Sequence, residues 1–340
     1  MGMDRMDHTR LGALAATAAL TLSLSACGGD SEGSGDGDGQ SIRVALGDIE
    51  SVETLALFVA LERVRDEGVD VETIELADED LANQAVVGGQ ADVGLGAPYA
   101  LIQGSAAPLR IFCQLSAARF FPVVDKAAYP DWQSLDGETF TVHSRGSTTE
   151  ALATIVEEAE GIEFGKISYV PGAEVRATAL LRGNVKATVL DIPNSNYVME
   201  QEPDKFQVLE TPEIDASDEV LFANSDWLAA NEDTVQVLLE QVLTVWREMA
   251  ADPQFVVDER ERLGLLKDLP ADLEEELLPY YEQGVEEDLF TQDCGGEEAA
   301  AADFEFYGAA GQLEGDPASL NVEDFWNLEP AQAAIDALEG

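Results

Sequence analysis

A helix, a glycine, a short apolar strand and a proline follow one another twice in this chain, at residues 87–98 and again at residues 181–193. Helices that alternate with apolar strands must bury one face against a sheet, and this order is typical of a largely parallel sheet covered by helices. Because the unit recurs, we predict an α/β protein with two similarly wound lobes in tandem.

Hydrophobic spacing locates the elements of both lobes. The first lobe is predicted to contain strands at 42–46, 69–76, 92–95 and 109–113 and helices at 54–67 and 80–88. The second is predicted to contain strands at 139–143, 167–170 and 187–190 and helices at 147–160 and 174–181. Residues 96–99 are predicted to form a loop and residues 191–194 a turn.

From about residue 235 onward the pattern predicts helices only. An apolar stripe at helical spacing supports the first of them, and it consists of Val235, Leu238, Leu239, Val242, Leu243 and Trp246. Further helices are predicted at 271–281, 317–326 and 330–338. The dense acidic residues of this part are interpreted as solvated helix faces.

The N-terminal residues 11–26 form an apolar run that is too short for a membrane span and has the length of a secretory signal. Small residues precede Cys27, and the pattern resembles a bacterial lipobox, in which this cysteine is diacylated. A plain secretory signal with an incidental cysteine is the alternative. The Gly/Ser/Asp-rich residues that follow predict a flexible tether, because a single DGDG lacks the repetition of calcium-binding motifs.

Charge excludes some partners. The chain has 68 acidic and 18 basic residues, a formal net charge of −50. It therefore repels nucleic acid and anionic lipid surfaces, and we expect membrane attachment through the N-terminal lipid only. Self-repulsion of this size opposes compaction and is relieved by salt. Salt adaptation, in the manner of a halophile, is our hypothesis, and calcium binding by the acidic residues is the alternative.

The search for catalytic residues finds little. The chain has two histidines, and His8 lies in the signal, so His143 alone cannot build a zinc site. No serine-hydrolase, zinc-protease, phosphate-loop or C-x-x-C motif is present. His143 and Ser144 are neighbours on a predicted strand and point to opposite faces. We predict no catalytic residue, no metal and no cofactor, and hence no enzyme.

Two cysteines remain once Cys27 is assigned to lipid. Outside the cytoplasm, Cys113 and Cys294 can form a disulfide that closes a very long loop. Cys113 also follows an apolar run, where a free buried cysteine is common. The sequence leaves both readings open.

One segment has the features of an anion site. Ser147 and Glu150 fit a capping box and predict a helix start at Ser147. The backbone N–H groups at such a start, together with the helix dipole, bind anions, and Thr148 and Arg145 would add donors. An ordinary capped surface helix is the alternative.

Several short motifs together resemble the type II substrate-binding proteins of ABC importers, in the nitrate/sulfonate/taurine and thiamine-pyrimidine (NMT-like) group. They are the lipobox, the Ala91-Asp92-Val93 strand, the Ser134-Leu135-Asp136-Gly137 entry to a second lobe, the Pro171-Gly172-Ala173 turn and the tail at 308–325. One departure is Lys186, where the family commonly has Asp.

The resemblance implies a two-lobed periplasmic binding protein type II fold with a hinge of two crossovers and a helical C-terminal tail. The implied organisation is a signal peptide at 1–26, a tether at 27–40, lobe I at 41–122, lobe II at 123–217, and a return to lobe I with the C-terminal helices at 218–340. The ligand-binding residues expected at the cleft are Asp48, Glu50, Ser51, Pro98, Tyr99, Ser144, Arg145, Gly146, Ser147, Thr148, Thr149, Asp191, Asn194 and Asn196. Tyr99, Tyr169 and Tyr197 are candidates for stacking on a ring.

The implied function is capture of a small anionic or heteroaromatic organic solute. The protein would be a monomer, anchored by lipid to the outer face of the cytoplasmic membrane, that delivers the solute to a permease and its ATPase subunits. Alternatives are a lipid-anchored surface protein without a transport role and an enzyme similar to thiamine-pyrimidine synthase. That enzyme has a Cys-rich, His-dependent site that this chain lacks.

Overall fold

The computed structural model describes residues 40–47, 51–76, 78–105, 108–212 and 215–340. The predicted signal peptide, the lipidation site Cys27, almost all of the tether, and the predicted ligand residues Asp48 and Glu50 lie outside the described residues. Residues Gly39–Gly340 form one compact unit. Across the described ranges, no helix combines the length and the apolarity that crossing a membrane requires.

Strands and helices alternate through the first two thirds of this unit, and helices follow. The strands are β1 (Ser41–Leu46), β2 (Asp70–Glu75), β3 (Val93–Gly96), β4 (Leu109–Ala117), β5 (Phe121–Asp125), β6 (Thr139–Val142), β7 (Lys166–Tyr169), β8 (Ala187–Leu190), β9 (Phe206–Val208) and β10 (Ser217–Asn224). The α-helices are α1 (Leu55–Asp66), α2 (Glu79–Val87), α3 (Tyr99–Ser105), α4 (Thr148–Glu160), α5 (Ala173–Leu181), α6 (Ile192–Gln201), α7 (Ser225–Ala230), α8 (Glu232–Ala251), α9 (Gln254–Leu263), α10 (Ala271–Glu274), α11 (Leu277–Glu286), α12 (Gly296–Ala309) and α13 (Glu329–Glu339).

The strands form two five-stranded sheets with the same arrangement. Their orders are β2-β1-β3-β10-β4 and β7-β6-β8-β5-β9. In the first sheet β10 is antiparallel to both its neighbours, and in the second sheet β5 is. The other four strands of each sheet run in one direction, so both sheets are largely parallel as predicted. We call the part built on the first sheet lobe I and the part built on the second lobe II.

Two short segments join the lobes. The chain leaves lobe I after β4 and returns to it at β10. The two crossings are hydrogen-bonded, because the Ala118 N–H donates to the Ala216 carbonyl at 2.8 Å and the Leu209 N–H donates to the Pro122 carbonyl at 2.9 Å. This is the arrangement of a two-stranded hinge. The domain boundaries at 122/123 and 217/218 stay a prediction.

The repeated helix–glycine–strand unit has a backbone reason. Gly89 follows α2 with φ of 68°, and Gly183 follows α5 with φ of 73°. A left-handed residue after the last turn ends a helix and redirects the chain, and glycine adopts this conformation without a steric cost. In both lobes the next strand, β3 or β8, is the third in its sheet.

Four predictions about local structure are wrong. The predicted helix at 271–281 is two helices, α10 and α11, separated by a turn at Glu275 and Glu276. Asp191 begins a helix rather than a turn: its side chain caps α6, and Pro193 lies in the first turn, where a missing N–H costs nothing. Residues 96–99 do not form a loop throughout, since α3 starts at Tyr99. The predicted helix at 317–326 is two short 3₁₀ turns, because Trp326 leaves the helical path to pair with Ile111.

The predicted apolar stripe on α8 is confirmed, and all six of its residues are buried. Helix α8 packs against α1 and α13 in lobe I. Trp246 also donates from Nε1 to the Leu115 carbonyl at 2.7 Å, which ties the helix to β4. The stripe therefore places the C-terminal helices on lobe I.

Cys113 and Cys294 form a disulfide with an S–S distance of 2.12 Å. Both cysteines are 1% exposed. The bond joins β4 to the loop that precedes α12, and the Gln114 N–H donates to the Cys294 carbonyl beside it at 3.0 Å. The C-terminal helices are thus tied covalently to the central part of lobe I.

Candidate functional site: the cleft between the lobes

A cavity of about 50 Å³ lies between the two lobes. Lobe I contributes the ends of β1 and β3, the start of α2 and the start of α1. Lobe II contributes the end of β6 and the starts of α4, α5 and α6. The start of β10 adds Asp218 and Glu219 from lobe I, and the hinge adds Phe120. The lining residues are Leu46, Gly47, Glu53, Thr54, Glu79, Leu95, Phe120, His143, Ser147, Thr148, Thr149, Ala173, Arg176, Asp191, Asp218 and Glu219.

The predicted helix start at Ser147 is present at the cavity wall. Ser147 is the N-cap of α4 and accepts the Glu150 N–H at 3.3 Å. Glu150 in turn accepts the Gly146 N–H at 2.6 Å, one residue earlier than a capping box requires. Some of the backbone N–H groups at the helix start therefore already have hydrogen-bond partners within the chain.

The hydroxyl groups of this helix start are held in place. The Thr149 hydroxyl accepts the His143 N–H at 2.9 Å and lies 3.0 Å from the Ser147 hydroxyl. The Thr148 hydroxyl lies 2.9 Å from that of Tyr307 in lobe I. The three side chains therefore form a fixed polar wall, and Thr148 also connects the lobes.

His143 lies at the end of β6 against the buried guanidinium of Arg176, which is 2% exposed. Arg176 donates to the carbonyls of Val189 and Val170, both at 3.0 Å, and its Nη1 lies 3.3 Å from His143 Nδ1. Because a guanidinium only donates, Nδ1 accepts and the ring hydrogen is on Nε2.

The Nε2 side of His143 faces lobe I. Nε2 lies 3.8 Å from a carboxylate oxygen of Glu79. Burial, followed by the charge of Arg176, lowers the pKa of His143 to about 3, and a hydrogen bond with the Gly47 backbone opposes this shift. The imidazole is therefore neutral at physiological pH, and its Nε2 faces the Glu79 carboxyl of lobe I without a charge of its own.

Asp191 and Glu53 lie on opposite sides of the cleft. Asp191 Oδ1 accepts the Asn194 N–H at 2.8 Å, and Oδ2 accepts from the Asn194 side-chain amide at 3.0 Å. Glu53 of lobe I lines the same cavity. Burial raises the pKa of Glu53 well above its usual range, and the charge of Asp191 raises it further. Burial also raises the pKa of Asp191, against the lowering effect of the Asn194 donors.

The charge of the cavity wall is predominantly acidic. Within the described part of the chain, five carboxyl side chains line the cavity and Arg176 is the one arginine or lysine that does so. The five are Glu53, Glu79, Asp191, Asp218 and Glu219. Like charges at close range in a poorly screened cleft repel strongly. The anionic or heteroaromatic solute expected from the sequence stays a prediction.

The structure brings four of the predicted ligand residues to the cavity wall and leaves others outside it. Those at the wall are Ser147, Thr148, Thr149 and Asp191. Those outside the lining are Ser51, Pro98, Tyr99, Ser144, Arg145, Gly146, Asn194 and Asn196.

The three tyrosines proposed for stacking also lie away from the cavity. Tyr99 is buried, donates to Asp303 and stacks on Tyr307 at 4.6 Å between ring centroids. Tyr169 is on the surface, where Arg145 lies 5.3 Å from its ring. Tyr197 packs on the apolar cluster of lobe II. Tyr99 and Tyr197 serve packing.

Sequence reasoning missed two of the central side chains. Arg176 occupies one position of the stripe Ala173, Arg176, Ala177 and Leu180, which is buried throughout. A charged residue in an apolar stripe at helical spacing is a signal of a buried functional group. No comparable sequence pattern marks Glu79. In the structure it packs so closely on Gly47 that a Cβ at position 47 would lie 2.4 Å from the Glu79 Cα.

Two sheets of this order, joined by a two-stranded hinge around a polar cavity, define the periplasmic binding protein type II class. Within it, the chain belongs to the NMT1/THI5-like family, whose sequence profile matches residues 54–255. The predicted fold class and family are confirmed. Among curated proteins, none matches the chain by sequence.

Solved structures of the same fold include proteins from three bacteria. A protein from Bordetella bronchiseptica is 21% identical, with a TM-score of 0.71 over 88% of this chain and 98% of that one. The periplasmic nitrate-binding protein NrtA from Synechocystis is 15% identical, with a TM-score of 0.68 over 89% and 90%. The periplasmic aliphatic sulphonate binding protein SsuA from Escherichia coli is 15% identical, with a TM-score of 0.57 over 85% and 92%. At these identities the similarity shows the fold.

Proposed function

We propose that this chain is the solute-binding component of an ABC importer, which captures a small organic solute between its lobes and delivers it to a permease. The observation that carries the proposal is the cavity itself, whose wall is built by both lobes and the hinge. A solute bound there contacts both lobes at once, and it therefore stabilises the closed arrangement relative to an open one.

Contacts across the cleft support a closing mechanism. Thr148 and Tyr307 join α4 to α12, and Asn196 donates to Glu276 at 3.4 Å. These few polar contacts are individually weak in net terms, so their formation and loss suit a hinge that opens and closes. A bound solute has to add further contacts to these in order to stabilise the closed arrangement.

The family and the structural neighbours support the same proposal. NrtA and SsuA are described as binding nitrate and aliphatic sulphonates, and both share the fold. Lipidation at Cys27 would hold this protein at the outer face of the membrane, beside its permease and ATPase. We propose a monomer, since one chain supplies both sides of the cavity.

Binding rather than catalysis fits the chemistry of the cavity wall. A general base works best with a pKa near the working pH, whereas the pKa of His143 is about 3. The hydroxyls of Ser147 and Thr149 bond to each other and to the backbone instead of to a base.

The test is the melting temperature of the mature protein, refolded free of small molecules, with nitrate, alkanesulfonates, pyrimidines, flavins, amino acids and amines. A compound at 100 times its Kd adds about 2.7 kcal/mol and raises the melting temperature by several degrees. Replacing Thr148 with Val should reduce that rise.

The matched control is Thr154→Val, on the same helix, where the hydroxyl donates to the Glu150 carbonyl and does not reach the cavity. This variant should keep the full response to the compound. If no compound raises the melting temperature, or if both variants respond alike, the cleft is not the binding site.

A further inference from the structure

A smaller cavity of about 20 Å³ adjoins the cleft cavity on the side of lobe I. We call it the inner pocket. Its walls are the start of α1, the strands β3, β4 and β10, helix α8 and the loop that follows α11. Its lining residues are Glu53, Thr54, Leu57, Leu95, Leu115, Ser116, Glu219, Trp246 and Phe290. All of them belong to lobe I, so a hinge motion between the lobes does not separate its walls.

The polar side chains of the inner pocket lie mainly on its border with the cleft cavity. The residues that line both cavities are Glu53, Thr54, Leu95 and Glu219, and three of these four are polar. Of the five residues that line the inner pocket alone, four are apolar and buried, namely Leu57, Leu115, Trp246 and Phe290. The lining therefore changes from polar beside the cleft to apolar beyond it.

The polar groups beside the apolar walls are largely hydrogen-bonded within the chain. The Trp246 indole donates its single N–H to the Leu115 carbonyl at 2.7 Å. The Thr54 hydroxyl accepts the Ser51 N–H at 2.9 Å and donates to the Ser51 carbonyl at 3.3 Å. A buried water molecule needs about two to four polar partners. Ser116 supplies one hydroxyl and the leucine and phenylalanine side chains supply none, so this end of the pocket favours an apolar group over water.

The size of the inner pocket limits the group that it can hold. A cavity needs about 10–15 Å³ to hold one water molecule, so a volume of about 20 Å³ has room for about one or two non-hydrogen atoms. A methyl or an ethyl group has this size. Burial of each such carbon from water strengthens binding by about fourfold.

We propose that the inner pocket receives a methyl- or ethyl-sized apolar group of the captured solute, whose polar head lies in the cleft cavity. The solute class is therefore small amphiphilic molecules with one short, unbranched apolar end. The inference rests on the proposed function and names its solute class. Such a molecule matches a site in which polar walls from both lobes adjoin an apolar pocket in one of them.

The first experiment tests the inner pocket without any solute head group. Xenon binds small apolar cavities, and its ¹²⁹Xe chemical shift is measured against the concentration of the mature protein. Ser116→Leu, which extends an apolar side chain into the pocket, should reduce the protein-dependent shift. The control is Ser168→Leu on β7, where a half-buried strand serine lies outside both linings. This control should match the unchanged protein, because any other xenon sites are common to both.

The second experiment measures the melting temperature with linear sulfonates, carboxylates, amines and primary amides, each from methyl to hexyl. Dilution of the active compounds gives relative affinities. For the head group that binds, affinity should rise about fourfold for each added carbon until the chain fills the pocket, and should then fall.

Two variants should move the preferred chain length in opposite directions. Ser116→Leu fills the pocket and should favour a chain that is about one or two carbons shorter. Leu57→Ala removes part of the pocket wall and should favour a longer chain. The control for the second variant is Leu61→Ala, one turn further along α1, which is buried but outside both linings. It should lower the stability of the fold and keep the preferred chain length.

The outcomes separate the two proposals. Equal xenon shifts for the unchanged and Ser116→Leu proteins would overturn the inner-pocket proposal alone. A preferred chain length that is the same in all variants would also overturn it, and a response that Thr148→Val weakens would still support solute binding in the cleft. If only compounds without an apolar end raise the melting temperature, the inner-pocket proposal is again overturned. If no compound acts on any of these proteins, both proposals are overturned.

Discussion

The hydroxyl groups of Thr148 and Tyr307 lie 2.9 Å apart and connect the first residue of α4 in lobe II to α12 in lobe I. Tyr307 is fully buried and stacks on Tyr99 at 4.6 Å. Tyr99 donates to Asp303 and accepts from Trp326. The cleft is therefore linked through one hydroxyl to the aromatic core beneath the C-terminal helices.

Replacing Tyr307 with Phe should weaken closure. The change leaves the Thr148 hydroxyl without its partner, and we expect a loss of about 1 kcal/mol in the free energy of unfolding and a smaller solute-induced rise in melting temperature. Urea unfolding and thermal melting measure the two effects. Tyr129→Phe is the control, since its hydroxyl bonds within lobe II at 3.4 Å to Glu138. Equal effects of both variants on the solute response would contradict the role of Tyr307.

Asp303 should make the protein more stable as the pH falls toward 4. Burial raises the pKa of Asp303 to about 6 from 3.8, against the lowering effect of its Ser217 and Tyr99 donors. The folded state therefore binds the proton more tightly, and this stabilisation is lost as the pH rises through about 6. This contribution to the free energy of unfolding is about 3 kcal/mol.

The measurement is the free energy of unfolding of the unchanged protein minus that of Asp303→Asn, from about pH 4 to pH 7. Subtraction cancels the general effect of the acidic surface, which both proteins share. The difference should move in favour of the unchanged protein as the pH falls. A constant difference would show that Asp303 does not titrate in this range.

His143 should have the opposite effect. Its pKa is lowered from 6.5 to about 3, chiefly by burial, so the unfolded state binds a proton first as the pH falls. The stabilisation present above about pH 6.5 is lost toward pH 3, by up to about 5 kcal/mol. The His143→Asn protein lacks this loss, so its melting temperature should fall less on acidification. Parallel melting curves for the two proteins would refute this prediction.

The disulfide should stabilise the folded chain strongly. Its cysteines are 181 residues apart, and in the chain-entropy model a loop of this size contributes about 5 kcal/mol. The double variant Cys113→Ala/Cys294→Ala should unfold at a clearly lower urea concentration. Adding reductant should leave its urea midpoint unchanged. A midpoint equal to that of the oxidised protein would contradict the prediction.

Salt should stabilise the protein. With a formal net charge of −50, repulsion between surface carboxylates opposes compaction, and added ions screen it over about 10 Å at 0.1 M. The melting temperature should therefore rise between low and molar NaCl. Calcium is the comparison: a rise at millimolar CaCl₂ that NaCl does not reproduce would favour calcium binding over salt adaptation.

Local patterns in the sequence predicted most of the fold. The Ser147 cap, the stripe on α8 and the repeated helix–glycine–strand unit depend on hydrogen bonds and periodicity among neighbouring residues, and all three are present. Where the pattern was ambiguous, the prediction failed. Pro193, two residues after Asp191, is compatible with a turn and with the first turn of a helix.

The site depended on more than local pattern. The sequence predicted that residues 144–149 and 191–196 face a cleft, and Thr148 and Asp191 do line the cavity. It did not predict that Glu79 and Arg176 would join them. A helix start has a local dipole that can be inferred from its own residues. The potential of a cavity is instead a sum over side chains from distant parts of the chain, and only the packing of two lobes decides which of them meet.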